Sequence, residues 1–162
     1  EINSPYSAVM TLKDATSDFI QRGADLRQYY DLGDHVLCQI VNVTSQKLID
    51  ASMKGPGLRK LRGGRVIEVS PFKVPRIIGK DGSMVGMIKQ ATGCDIAVGQ
   101  NGLIWLSGEP LGEVVALKAI KKIEEEAHLG GLTNRIADFL QAETGVKVSP
   151  ATVPVAPQGG AE

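Results

Sequence analysis

The run Val74-Pro75-Arg76-Ile77-Ile78-Gly79-Lys80-Asp81-Gly82-Ser83-Met84 reads as a short helix, a two-residue loop bounded by glycines, and the start of a second helix. Pro75 suits a first helical position, where its missing N–H would have no intrahelical partner. Gly79 is expected to close that helix in a left-handed conformation that a side chain would penalise. Gly82 lets a backbone approach where the next helix presents unpaired N–H groups and the positive end of its dipole. A phosphate is the ligand such a junction favours, and Lys80 adds a mobile positive charge. Taken alone, Gly79-Lys80-Asp81-Gly82 reads also as a tight helix–helix connection, since glycine-containing turns between helices are common.

The flanking elements set the context. Arg65-Val66-Ile67-Glu68-Val69 is a short β-type run stopped by Ser70-Pro71. From Ser83 to about Thr92, Met84, Met87 and Ile88 form a helical stripe with Val85 and Ala91 beside them, and Gly93 ends it. Cys94-Asp95-Ile96-Ala97-Val98 and Leu103-Ile104-Trp105-Leu106-Ser107 read as strands joined through Gly99-Gln100-Asn101-Gly102, where Asn-Gly is a hairpin signal. A helix over 113–126 follows, with Val114, Leu117, Ile120 and Ile123 at three- and four-residue spacing. The order β-α-α-β-β-α, with the glycine-bounded loop between its first two helices, resembles a type I KH domain. The G-x-x-G element of such a domain clamps a single-stranded nucleic-acid backbone.

Charge is concentrated near this loop. The chain carries 18 basic and 18 acidic residues and is neutral overall. From Lys54 to Lys89, however, nine basic residues (Lys54, Arg59, Lys60, Arg62, Arg65, Lys73, Arg76, Lys80, Lys89) face only Glu68 and Asp81, a net +7 balanced by −7 elsewhere. Phosphate contacts need local positive potential, whatever the total charge. Lys80 and Arg76 are therefore candidates to meet phosphates, with Asp81 beside them in the loop, and Lys73 and Arg65 extend the track. A surface docking a protein partner fits the same residues.

Composition bounds the remaining readings. A chain of 162 residues holds one medium domain or two small ones, and 43% hydrophobic residues suffice for packed cores. Only 4% are aromatic, so base-stacking platforms are scarce. Cys38 and Cys94 lie in apolar runs without metal spacing and read as buried thiols, which suits a reducing, cytoplasmic setting. No signal peptide or membrane-spanning run is present. His35 and His128 have no partners at diagnostic spacing, and no metal cluster, nucleophile motif or nucleotide-phosphate loop appears. We expect no catalytic residue, no metal and no cofactor, although the many carboxylates leave a hidden acid pair open.

Residues 1–54 form a different unit. Ala8–Leu12 and His35–Val43 read as strands, 48–53 as a third and Glu1-Ile2-Asn3 as the end of a fourth, with a polar, partly helical excursion over 14–31. Short strands around such an excursion suggest an OB-type barrel. Four of its five strands are legible, so its first strand is expected upstream of Glu1, without which strand edges would be unpaired. Residues 55–63 read as a linker short enough, with Leu58 and Leu61, for the domains to pack on each other. The KH domain is expected over 64–128. A C-terminal helix over 129–144 follows, with Ile136, Phe139 and Leu140 as its apolar face and Thr133 as its cap. Residues 145–162 show no useful period and read as a disordered tail.

Together, the barrel pattern, the run from Lys73 to Met84 and the Gly99–Gly102 hairpin resemble the archaeal exosome cap subunits that carry S1-type and KH domains. Gly99-Gln100-Asn101-Gly102 matches a G-x-N-G signature of that family, and the segment from His128 to Thr133 is similar to its C-terminal region. The resemblance covers 1–144. It implies an α+β fold: a partial OB-fold (S1-type) β-barrel lacking its first strand, a type I KH domain and a C-terminal helix. It implies a non-catalytic subunit that binds single-stranded, A-rich RNA and guides its 3′ end into a ring of phosphorolytic RNase subunits for 3′-to-5′ degradation. In the barrel, Lys13, Arg22 and Arg27 become candidates for the RNA path; as ordinary solvated side chains they read equally well. Tyr6, Tyr29, Tyr30 and Trp105 are expected to pack rather than stack. Gln100 and Asn101 are expected to be structural, with their hairpin near the barrel. Two alternatives remain: an architectural module that docks protein subunits through the KH surface, with RNA only on the barrel, and a free-standing regulator of translation or message stability.

Overall fold

A computed structural model of the chain describes residues 1–16, 20–21 and 23–149. Two units are present, one from Glu1 to Arg62 and one beginning at Gly63.

The first unit contains β1 (Ala8–Val9), a one-turn helix α1 (Leu12–Ala15), β2 (His35–Leu37), β3 (Gln39–Val43), β4 (Ile49–Ser52) and β5 (Arg59–Leu61). β4 pairs in parallel with β1 and antiparallel with β3, while β2 pairs antiparallel with β5. A parallel neighbour reached after a long excursion suits a Greek-key barrel. Three details differ from the sequence reading. Thr11 and Leu12 leave the strand, because the Thr11 carbonyl accepts the N–H groups of Asp14 (2.9 Å) and Ala15 (3.0 Å) and starts α1. The run 35–43 breaks at Cys38, and its halves join different sheets. Glu1–Asn3 forms no strand, and Asn3 adopts φ 55.

The stretch read as a linker contributes β5. Its Lys60 ion-pairs with Asp34, donates to the Tyr29 carbonyl (3.1 Å) and lies 5.6 Å from the Tyr30 ring centre. Among the described residues of this unit, only Ala51 and Ser52 are buried. Cys38 is half-buried rather than buried, and burial pushes its thiol up.

The second unit runs β6 (Arg65–Glu68), α2 (Val74–Ile78), α3 (Ser83–Thr92), β7 (Asp95–Val98), β8 (Leu103–Ser107), α4 (Pro110–Glu126) and α5 (Leu132–Thr144). Its antiparallel sheet has the order β6-β8-β7. Up to α4 this is the β-α-α-β-β-α order of a type I KH fold. β8 alternates with the strand period of two: Ile104 and Leu106 enter the helix-covered core. Trp105, also buried, lies outside that cluster and donates its indole N–H to the Gly63 carbonyl at 2.8 Å. The core itself is built from Val74, Ile77, Met87, Ile88, Ile120 and Ile123, all 0–1% exposed.

α4 begins three residues before the expected start, with Pro110 in its first turn. Gly112 belongs inside it because a Cβ there would lie 2.6 Å from the Thr92 carbonyl oxygen at the end of α3. α5 buries Leu132, Ile136 and Leu140, a strict i, i+4, i+8 stripe, while Phe139 is only partly buried. Its N-cap is Gly131, φ 69, so Thr133 lies inside the helix and does not cap it. Ion pairs Glu126–Arg135 (2.7 Å) and Lys118–Glu143 (3.2 Å) join α5 to α4. Such partly exposed pairs contribute about 0–1 kcal/mol, against roughly 1.5–3 kcal/mol for each buried aliphatic side chain. The apolar stripe therefore seats the helix. Beyond Gly145 the chain is not immediately free: Val148 is 6% exposed and joins the same core.

Candidate nucleic-acid interface

α2 has only five residues. It is anchored by buried Val74 and Ile77, which leaves Arg76 exposed on the opposite side. The helix ends at Gly79 with φ 75 and ψ 176. Positive φ was expected there, but ψ is extended rather than left-handed helical, a combination essentially confined to glycine. A Cβ on Gly79 would lie 2.7 Å from Met84 Cβ and 2.8 Å from Met84 N, so α3 passes directly against this backbone.

Lys80–Gly82 then makes a 3-10 turn in which Asp81 (φ 52, ψ 31) and Gly82 (φ 75, ψ 11) are successively left-handed. Aspartate tolerates that region better than most side chains. Gly82 is the N-cap of the ten-residue α3 and offers no side-chain cap, while its own N–H donates to the Gly79 carbonyl (3.3 Å) and the Ser83 N–H to the Lys80 carbonyl; the loop thus presents the positive end of the helix dipole to an external acceptor. Arg76, Lys80 and Asp81 are exposed and make no ion pair among the described residues. Lys73 is half-buried just before α2.

Other members of the basic stretch lie elsewhere. Arg65 Nε contacts Glu113 Oε2 at 3.1 Å, and the other oxygen of Glu113 accepts the Gly108 N–H (3.1 Å). Gly108 abuts Cys94, just beyond the end of α3. Arg65 is thus neutralised at the far end of α3, about 15 Å from the loop at 1.5 Å per residue, and does not extend a track from Lys80. Lys89 reaches Asp95 at 3.8 Å near that same end. In the first unit, Lys13 is exposed on α1, and Arg27 is exposed on a 3-10 turn whose backbone N–H binds Asp25 Oδ1 (3.0 Å). Arg22 lies outside the described residues.

The Gly99–Gly102 hairpin packs against the Val69–Pro71 segment that leads to α2. Gly102 N–H donates to the Gly99 carbonyl (3.2 Å) and Gly99 N–H to the Leu103 carbonyl (2.8 Å). Gly102 has φ 85, so this is a turn closed by a glycine bulge rather than a two-residue Asn-Gly turn. The Asn101 side-chain oxygen accepts Leu103 N–H at 3.2 Å, and Gln100 is exposed. Gly102 is pressed onto the segment leading to α2: its carbonyl accepts Val69 N–H (2.9 Å), and a Cβ on it would lie 2.4 Å from the Val69 oxygen.

Sequence reasoning missed two residues that fix the same segment. Glu124 Oε1 accepts Ser70 N–H at 2.7 Å, and Lys121 Nζ donates to the Glu68 carbonyl (3.1 Å) while pairing with Glu124 (2.9 Å). Burial would raise the Glu124 carboxyl, but Lys121, the Ser70 N–H and the charge of Lys73 outweigh it and hold the group below its ordinary value. A depressed folded-state value means that the stabilisation is present at neutral pH and disappears as pH falls through that value. Glu124→Gln is expected to lower the melting temperature at pH 7, with the deficit shrinking below about pH 4. Parallel melting curves for variant and wild type across the acid range would refute this role. Phe72, in the same segment, is 92% exposed.

Among the described residues no group of three His, Cys, Asp or Glu side chains could hold a metal ion, and no helix is long and apolar enough to cross a membrane.

Against this geometry, the family model for the KH domain matches residues 64–111. Exosome complex component Rrp4 of Methanothermobacter thermautotrophicus is 42% identical over 147 residues, 91% of this chain and 46% of that protein. Exosome complex component Rrp4 of Thermoplasma acidophilum is also 42% identical over 147 residues, covering 61% of its length. The chain spans about half the length of the curated relatives it matches. A crystal structure of a protein assigned as an exosome complex RNA-binding protein aligns with a TM-score of 0.74 at 36% identity, over 87% of this chain and 82% of that one. The chain belongs to the Rrp4 family of archaeal exosome RNA-binding proteins. In this Rrp4-family chain, the region matched by the KH model runs from before β6 into the start of α4. It therefore contains both the Gly79–Gly82 loop and the Gly99–Gly102 hairpin.

Proposed function

We propose that this chain is the RNA-binding part of a non-catalytic exosome subunit, which takes single-stranded RNA on its Gly79–Gly82 loop and passes the 3′ end to a phosphorolytic RNase ring. One observation carries the reading: two successive left-handed residues lead into α3, whose N-terminus has no side-chain cap, beside exposed Arg76 and Lys80. Gly79 and Gly82 admit the backbone, Lys80 and Arg76 meet phosphates, Asp81 sets the turn, and Lys73 flanks them. Arg65, already neutralised, is structural. Lys13 and Arg27 are second contacts on the first unit, and the partners are A-rich RNA and the ring subunits, in the cytoplasm. The names of the relatives support the exosome and the RNA-binding parts of this reading.

Titrating a fluorescent oligoadenylate with wild-type and Lys80→Asp chains at several salt concentrations tests it. The variant is expected to bind more weakly, with a log–log salt slope smaller by about one. Unchanged affinity and slope would remove RNA from the KH loop. The surface would then be a docking element for protein subunits, with RNA confined to the first unit.

A further inference from the structure

Phe72 is the most exposed aromatic side chain among the described residues. A single exposed apolar residue is ordinary; its mounting is not. The Val69 N–H is held by the Gly102 carbonyl (2.9 Å), the Ser70 N–H by Glu124 (2.7 Å) and the Lys73 N–H by the Ser70 carbonyl (2.9 Å). Pro71 abuts Gly102 so closely that a Cβ there would lie 3.2 Å from Pro71 Cγ. The ring is therefore carried outward on backbone fixed by two other elements, the hairpin and α4.

Its neighbours are cationic and aligned with the loop. Pro71–Lys73 is a 3-10 turn that runs straight into α2, with Lys73 in helical conformation (φ −93, ψ −13). Phe72 and Arg76 thus fall at i and i+4 on one helical stretch, which Gly79 ends at i+7, and Lys80 follows directly after that break. Phe72 precedes Gly79 by about 10 Å along that axis, so a strand clamped at the loop passes it with a base free. Every base offers a π-face to an aromatic ring, and stacking tolerates sequence variation. A phenyl ring costs little entropy to immobilise, having two side-chain torsions.

We propose that Phe72 is a stacking platform for an unpaired nucleobase of the strand whose phosphates sit at Gly79–Gly82, so that the site grips base as well as backbone. This rests on the RNA-binding reading above and adds a base contact to it. Phe72→Ala is expected to weaken oligoadenylate binding roughly tenfold, with the salt slope unchanged because no phosphate contact is lost. Phe72→Trp is expected to keep the affinity, and its exposed indole to be quenched on binding, against the constant background of buried Trp105. An abasic oligomer of equal length is expected to bind wild type and Phe72→Ala alike. At 92% exposure the alanine variant keeps its melting temperature, so the comparison reads binding alone.

If Phe72→Ala binds like wild type and the Phe72→Trp signal does not respond, while Lys80→Asp still binds weakly, the stacking assignment is wrong. The RNA-binding reading then stands, and Phe72 is left to a protein contact. If neither position matters, both fail together.

Discussion

Gly79→Ala is expected to lower the unfolding free energy by about 3 kcal/mol, because two costs fall on one methyl group. The backbone at φ 75, ψ 176 lies in a region that side chains avoid, a strain of roughly 1–3 kcal/mol. The same methyl would arrive 2.7 Å from Met84 Cβ and 2.8 Å from Met84 N, at the first turn of α3. Met84 is 4% exposed, so it cannot swing into solvent; α2 and α3 must separate instead. Gly82→Asn is the matched control, since φ 75, ψ 11 is a conformation that asparagine visits and that Asp81 already adopts next door. Its loss is expected to be about 1 kcal/mol or less. Urea midpoints of the two variants decide the matter. If Gly79→Ala unfolds with the wild-type midpoint, then the close passage of α3 over Gly79 does not exist. Because this variant disturbs fold and site together, Lys80→Asp is the cleaner probe of binding.

The second large effect belongs to α5. Ile136→Ala is expected to cost about 3–4 kcal/mol, within the usual range for emptying a fully buried aliphatic site, since Ile136 is 0% exposed in the core shared with α3 and α4. Lys118→Ala, which breaks only a half-exposed pair with Glu143, is expected to cost less than about 1 kcal/mol. That contrast tests whether α5 unfolds with the KH sheet. An unchanged melting temperature for Ile136→Ala would mean that α5 frays independently and that the KH core ends at α4. In the expected case α5 is a third helix of that core, although the β-α-α-β-β-α order is complete without it.

The elements of the second unit were legible because each rests on a local rule. Met84, Met87 and Ile88 repeat at the helical period, Leu103–Ser107 is a short apolar run carrying Ile104 and Trp105, and Gly93 and Gly145 close helices by their own conformational freedom. Where strands are very short, the same rules weaken. β1 has two residues, and the division of 35–43 at Cys38 depends on which sheet each half joins. Nothing in the alternation of that run marks the corner.

The G-x-x-G loop, the order of elements around it and the concentration of basic residues near it were legible from the amino-acid sequence alone, since all three are properties of neighbouring residues. The folded arrangement settles which of those charges remain available. Arg65 pairs with Glu113, 48 residues away, whereas Arg76 and Lys80 make no ion pair among the described residues. It also decided that Glu124, 54 residues from Ser70, fixes the turn beneath Phe72 and leaves that ring in solvent. The reason is physical: helix periods and glycine conformations act over a few residues, but ion pairs, close backbone approaches and exposure depend on distant segments being brought together.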